Sequence, residues 1–323
     1  MTELRPRRGI PGVALGVGLV ACAVVAIPVV ENWSAVAAAG RAGVQAAWLL
    51  PCLVALHLFQ LLLSGIAWRD LLPAPAPPWP VFYRLRIVRE GIDSLLPVAQ
   101  VGGEIVGARL LARKEVAASL AGASVIVDVT IELFTQIAFL VLGLTTLAAI
   151  AGPSARGIGL EVLGGGVAVL VAVLAAQRFG LLRAVEVVLR GIARHWPALG
   201  DMSLDGLHAA ALALYRRPGA LLRGAGLHLT AWMLGTLETW AVLTILGIAP
   251  TPAQAFVVES LGMAARSAGF AIPAALGAQE GGFVLAALAV GLPAGPALAL
   301  SLVKRVREVL VGLIGLTLWR REA

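Results

Sequence analysis

Apolar residues run through this chain in long blocks, and polar residues are confined to a few recurring places between and within them. About 20 consecutive apolar residues cross a hydrocarbon core as a helix. Six blocks reach that length: roughly 9–30, 42–68, 117–150, 157–177, 224–247 and 296–319. Two further segments fit neither a span nor a polar loop. Residues 79–115 alternate basic turns with apolar stretches and break at Pro97, Gly102 and Gly103. Residues 253–292 are more apolar and break at Pro273, Gly277, Gly281 and Gly282. Irregular backbone at membrane depth is tolerated where protein or a watery cavity covers it, so both segments are predicted to be re-entrant helical hairpins. For 79–115 the alternative is a pair of amphipathic helices on the membrane surface. Residues 178–223 are amphipathic and basic, which predicts helices along the interface, anchored by Trp196 and Tyr215.

The polar positions repeat. Pro97 and Pro273, Glu104 and Glu280, and Glu132 and Glu308 are each separated by 176 residues. In each copy a Pro/Gly-broken stretch carries the first glutamate and a long apolar helix carries the second. The units extend over about 42–150 and 218–323. A hairpin returns to the side it left, so the two copies are expected to enter from opposite faces. The predicted class is therefore an all-α integral membrane protein, a single domain over 1–323. It has about six full transmembrane helices and two re-entrant hairpins in an inverted-topology repeat. Inverted repeats are a common origin of alternating access.

Composition agrees with this class. With 59% hydrophobic and 13% charged residues and a mean hydropathy of +0.92, the chain is too apolar for an ordinary soluble domain. The net charge of +7 has a simpler use than nucleic-acid binding, because basic residues flanking apolar spans set topology. With a cytoplasmic N-terminus, nineteen of the 25 Lys and Arg residues fall on the cytoplasmic side. Both termini are thus expected in the cytoplasm, in a bacterial inner membrane. Cys22 and Cys52 lie inside apolar stretches without paired spacing and suggest neither a disulfide nor a metal site.

Candidate chemistry lies in the intramembrane charges. Glu104 and Glu280 sit at the hairpin breaks, where freed backbone N–H groups and a carboxylate can hold a polar headgroup or a cation. Arg109, Asp128, Glu132, Lys304, Arg305, Arg307 and Glu308 are expected to flank that site, because charges at membrane depth usually face a bundle interior. Lys304 and Glu308 are four apart, which makes a structural ion pair available. Asp128 and Lys304 occupy equivalent positions with opposite charge, so a pair across the repeat is also available. Glu238, Glu259 and Arg266 read as buried structural groups. His57, His195, His208 and His228 are scattered singly, without metal-ligand spacing. No nucleotide-binding or hydrolase motif occurs, and no catalytic residue, cofactor or metal is expected.

The run PAALGAQEGGFVLAALAVGLPAGPALALSLVKRVREVL resembles the C-terminal signature of the HpnL-type hopanoid-associated proteins of the lysylphosphatidylglycerol-synthase membrane-domain family. The earlier P-x-x-x-x-G-G-E followed by SVIVD-x-x-x-E resembles that family's N-terminal signature. The similarity covers the chain from about residue 42 onward. It implies a flippase-like membrane protein, with a hopanoid, another isoprenoid lipid or a phospholipid as cargo. No aminoacyl-transferase domain follows, so lysyl-lipid synthesis is not implied. Two rival functions remain open at this stage: a non-transporting scaffold that recruits lipid-synthesis enzymes, and an integral-membrane transferase acting on an isoprenoid lipid.

Overall fold

Prolines and capping groups mark where the helices begin. In the computed structural model, which describes residues 44, 47–96, 102–151, 206–269 and 275–322, a proline occupies the first turn of four helices. These are α1 (Leu50–Leu71), α2 (Trp79–Leu95), α6 (Pro218–Ile245) and α7 (Pro252–Ala268). At that position the missing N–H costs nothing, because it has no intrahelical partner. Thr251 also caps α7, accepting from the Gln254 backbone N–H at 3.2 Å, while the Gln254 side chain accepts from the Thr251 N–H at 2.9 Å. The remaining helices among the described residues are α3 (Gly102–Ala112), α4 (Ala118–Ala151), α5 (Leu207–Tyr215), α8 (Ala278–Ala289) and α9 (Ala294–Glu322). The expected spans 9–30 and 157–177, Pro97, Pro273, Trp196 and the first part of 178–223 lie outside the described residues.

Four helices are long: α1, α4, α6 and α9 have 22, 34, 28 and 29 residues. At 1.5 Å per residue they reach about 33–51 Å, enough to cross a bilayer core. Among the described residues, α1 and α4 are both long and apolar enough to do so by composition as well. The helices α2, α3, α7 and α8 have 17, 11, 17 and 12 residues. They pair as hairpins: α3 folds back on α2, and α8 on α7.

The helix order occurs twice. Shifted by 176 residues, α3 and α4 begin where α8 and α9 begin, α2 begins three residues inside α7, and α1 eight residues inside α6. The packing follows the same exchange: α2 lies on α9 as α7 lies on α4, and α1 lies on its own counterpart α6. That central pair is antiparallel. Leu53 clusters with Val242 and Leu243, Gln60 donates to the Ala231 carbonyl at 2.8 Å, and Asp70 meets Arg223 at 3.2 Å. Between α2 and α9 glycine provides the close approach, since a Cβ on Gly91 would stand 2.7 Å from the Gly312 carbonyl oxygen and 2.9 Å from the Gly315 Cα.

The two ends of the bundle differ in charge. At one end, Arg69, Arg84, Lys114, Arg223 and Glu322 gather where α1, α2, α3, α6 and α9 meet. At the other, where Ile150, Thr251, Gln254, Ala289 and Val290 line a shallow pocket, the described residues carry no Asp, Glu, Lys or Arg. Among residues 79–95 only Trp79 and Arg84 are exposed. Helix α2 is therefore packed inside the bundle rather than laid on its surface, and the alternative of surface helices over 79–115 is not met there. Arg86 and Arg89 are 8% and 1% exposed, so two of the nineteen basic residues counted on the cytoplasmic side are interior groups.

Candidate functional site

The interior side of α2 is charged. Arg86, Arg89, Glu90 and Asp93 follow one another at helical spacing and so share one face of the helix. Each is met by a partner from another element. Arg86 bonds to Glu132 of α4 at 2.6 Å. Arg89 pairs with Glu104 of α3 and, at 3.0 Å, with Asp128 of α4. Asp93 accepts the Gly103 backbone N–H at 2.8 Å. Glu90 faces His57 of α1 at 3.6 Å. A wall of aromatic carbon steadies Arg89, whose guanidinium stands 4.9 Å from the Trp68 ring centroid. Trp68 itself donates to Ser124 at 2.9 Å and packs edge-on against Phe82.

The second helix set builds its own cluster around Lys304. Its ammonium lies 3.0 Å from Glu259 and 3.3 Å from Glu238, and Glu238 is also held by Arg307. Thr239 donates to Glu259 at 2.5 Å. Glu308 is 3.7 Å from Arg266 and 3.3 Å from Arg305. Arg305 in turn grips Glu280 at 2.8 Å, while Glu280 accepts the Gly277 N–H at 2.7 Å and so caps α8. That cap starts from Gly277, whose φ of +80° is a conformation glycine adopts readily. Buried ions of this kind are tolerated only when paired, because an unpaired charge in a low-dielectric interior costs several kcal/mol.

Between the clusters, on the seam of the two helix sets, lies a cavity of about 100 Å³. Its wall includes Arg86 and Glu132 from one set and Glu238, Glu259, Lys304 and Arg307 from the other, with His57 and Gln60 of α1 and His228 of α6. The seam is closed by polar contacts. His228 meets Asp128 at 3.1 Å, and Gln136 of α4 donates to the Met263 carbonyl at 3.3 Å. Several buried atoms at this wall have no protein partner, among them Glu238 Oε1, Arg86 Nε and Arg307 Nε.

Of the residues singled out from sequence, Glu132, Lys304 and Arg307 line this cavity. Glu104 and Glu280 do not; each is held by an arginine to one side of it. Asp128, Arg305 and Glu308 sit behind the wall as ion-pair partners, and Arg109 makes no ion pair among the described residues. Two expected pairs are absent. Lys304 turns to Glu238 and Glu259 rather than to Glu308 or Asp128, because the carboxylates of α6 and α7 reach it from the facing side of α9. Asp128 is already enclosed by Arg89 and His228. The glycines also divide. A Cβ on Gly103 would stand 2.5 Å from the Arg89 carbonyl oxygen, and one on Gly282 would run into Ala265, whereas one on Gly281 meets nothing within 4 Å. Gly281 thus provides no close approach in this structure.

Sequence reasoning missed Arg86, Arg89, Glu90 and Asp93 as site residues, and it set Glu238, Glu259, His57 and His228 aside. The signal was the single-face spacing on α2. Charges three, four and seven apart within an otherwise apolar helix point inward together.

No curated protein matches this chain, and no solved structure does. A family profile, described as the lysylphosphatidylglycerol synthase TM region, matches residues 12–315 and so takes in α1 to α8 and most of α9. The all-helical bundle, the apolar helices of spanning length and this match agree on a membrane protein, and the chain belongs to the family of the lysylphosphatidylglycerol synthase TM region.

Proposed function

We propose that the protein is a lipid transporter, a flippase-like carrier working by alternating access, rather than an enzyme. One observation carries this reading. The cavity, walled by buried ion pairs, lies on the seam between two helix sets that occur in the same order and whose first helices, α1 and α6, run antiparallel. Two copies related by a two-fold axis perpendicular to their helices have opposite directions in a bilayer, which is the arrangement of inverted repeats. Rocking one set against the other about that seam exposes the cavity first to one face and then to the other. Charges that exchange partners during such a motion remain paired throughout. The difference in charge between the bundle's ends supports placing the basic end in the cytoplasm of a bacterial inner membrane. The cargo we propose is an amphiphilic lipid of the hopanoid or isoprenoid class, its polar group in the cavity and its apolar body in the bilayer.

The test is movement of a headgroup-labelled lipid across reconstituted vesicles, read by an impermeant quencher and compared between an isoprenoid-lipid and a phospholipid reporter. Wild-type protein is expected to speed exchange of the isoprenoid reporter. Glu132→Gln keeps an oxygen for Arg86 but leaves that buried guanidinium without its ion-pair partner, so it is expected to lower the melting temperature and, in the protein that remains folded, to abolish most of that gain. Full activity in that variant would take the cavity out of the transport path.

The small size of the cavity favours a second reading, a scaffold for lipid-synthesis enzymes that moves nothing. Exchange no faster than in protein-free vesicles for either reporter would put that reading ahead.

A further inference from the structure

Away from the central seam, the basic end of the bundle contains a second concavity. It holds about 340 Å³ and lies between the end of α1, the α1–α2 connection and the first turns of α6. Arg69, Arg217 and Arg223 surround it, and Asp70 is its single acid. Ordinary interfacial arginines spread into solvent, whereas these are tethered. Asp70 uses one carboxylate oxygen for Arg69 and the other for Arg223, both at 3.2 Å. Arg217 is fixed by donating to the Leu71 carbonyl at the end of α1. Each of these contacts uses a single terminal nitrogen, so the other terminal nitrogen and the Nε of all three guanidinium groups remain available. The cluster has an excess of two positive charges, from three arginines and one aspartate.

The wall between them adds to this. Helix α6 starts here without a side-chain cap and with Pro218 in its first turn. The N–H groups of Ala220 and Leu221 bond to the Arg217 carbonyl, and Gly219 borders open space in which a Cβ would meet nothing within 4 Å. A phosphate oxygen can therefore approach the start of the helix closely, where the dipole favours an anion. Immediately beyond, Leu222 is 74% exposed. A basic, tethered concavity with an apolar flank on the same turn fits an amphiphile better than a free ion.

We propose that this concavity binds the phosphate group of an anionic membrane lipid, held by Arg69, Arg217 and Arg223 with its acyl chains along α6. The inference does not depend on transport, because the site is separate from the central cavity and shares no lining residue with it.

The test is lipid retention by the full-length protein, measured by native mass spectrometry after extraction from nanodiscs containing phosphatidylcholine with or without phosphatidylglycerol. Wild-type protein is expected to retain phosphatidylglycerol. Arg69→Gln and Arg223→Gln, both on exposed side chains, are expected to weaken retention by roughly tenfold each, as expected for a lost charge-assisted hydrogen bond. Arg320→Gln with Arg321→Gln, at the same end but outside the concavity, is expected to change it little. Equal losses in the two sets of variants would reduce the site to a diffuse surface charge and overturn the proposal. Displacement of the lipid by millimolar inorganic phosphate would instead assign the site to free phosphate, and that outcome also overturns it. Gly219→Val provides a variant with every arginine intact. It is expected to reduce retention by filling the helix start, and unchanged retention there would contradict the geometry.

Discussion

Lys304→Met is expected to prevent stable folding, and Lys304→Met combined with Glu259→Gln to restore most of what is lost. Lys304 is 1% exposed and stands between Glu238 and Glu259, themselves 1% and 3% exposed. Glu238 keeps Arg307 when the lysine is removed. Glu259 keeps only the Thr239 hydroxyl, which cannot neutralise it. An orphaned buried carboxylate of this kind costs roughly 3–5 kcal/mol, a large part of the stability of most folded domains. Methionine fills the space of the lysine stem, so the loss arises from charge rather than from a cavity. Neutralising Glu259 removes the penalty at its source, and glutamine still accepts from Thr239. Melting temperatures of the single variants and the pair in one detergent complete a double-mutant cycle. A double variant no more stable than Lys304→Met alone would show that the lysine acts through packing, and the ion-pair account of this cluster would fall.

The sequence made some features readable and left others hidden, for separable physical reasons. Segment starts expected at 79 and 253 agree with helices that begin at Trp79 and Pro252, each with a proline in its first turn, because proline acts on its own backbone and needs no distant partner. The spans expected from 42 and 224 do not match helices that begin at Leu50 and Pro218. The 176-residue offset was visible because it is a spacing, and α3 with α8 and α4 with α9 begin at it without error. Partners were not visible. His228 and Asp128 are 100 residues apart, and Lys304 and Glu259 are 45 apart. Only the packed bundle decides which carboxylate a buried cation meets, so the local choice of Glu308 for Lys304 was natural and incorrect. The role of α2 was obscured by a rule that serves well elsewhere. The basic residues from Arg69 to Lys114 were counted on the cytoplasmic side, Arg86 and Arg89 among them, although the structure buries both. Their spacing with Glu90 and Asp93 held the contrary information, since a solvated loop has no reason to align four charges on one helical face.

Gly91→Val is expected to be strongly destabilising, and Gly281→Val nearly neutral. The difference lies in what the new carbon meets. At Gly91 it would stand 2.7 Å from the Gly312 carbonyl oxygen, and both that atom and the Gly315 Cα beyond it are backbone that no rotamer change can move. Helices α2 and α9 would have to separate, at a cost of roughly 1–3 kcal/mol or more for overpacking alone. The displacement also carries the neighbouring charges with it. Arg89 and Glu90 immediately precede Gly91, so pulling α2 from α9 strains the pairs with Asp128, Glu104 and His57. At Gly281 the added side chain enters open space on α8, and replacing glycine inside a helix is slightly favourable on backbone grounds. Thermal unfolding of both variants, with lipid exchange measured on whichever folds, gives the comparison. Exchange of labelled lipid should survive in Gly281→Val at close to the wild-type rate, whereas Gly91→Val should lose stability and exchange together. A Gly91→Val protein that melts with the wild type would mean that α2 and α9 do not meet backbone to backbone, and the placement of the α2 charges beside the cavity would then have to be redrawn.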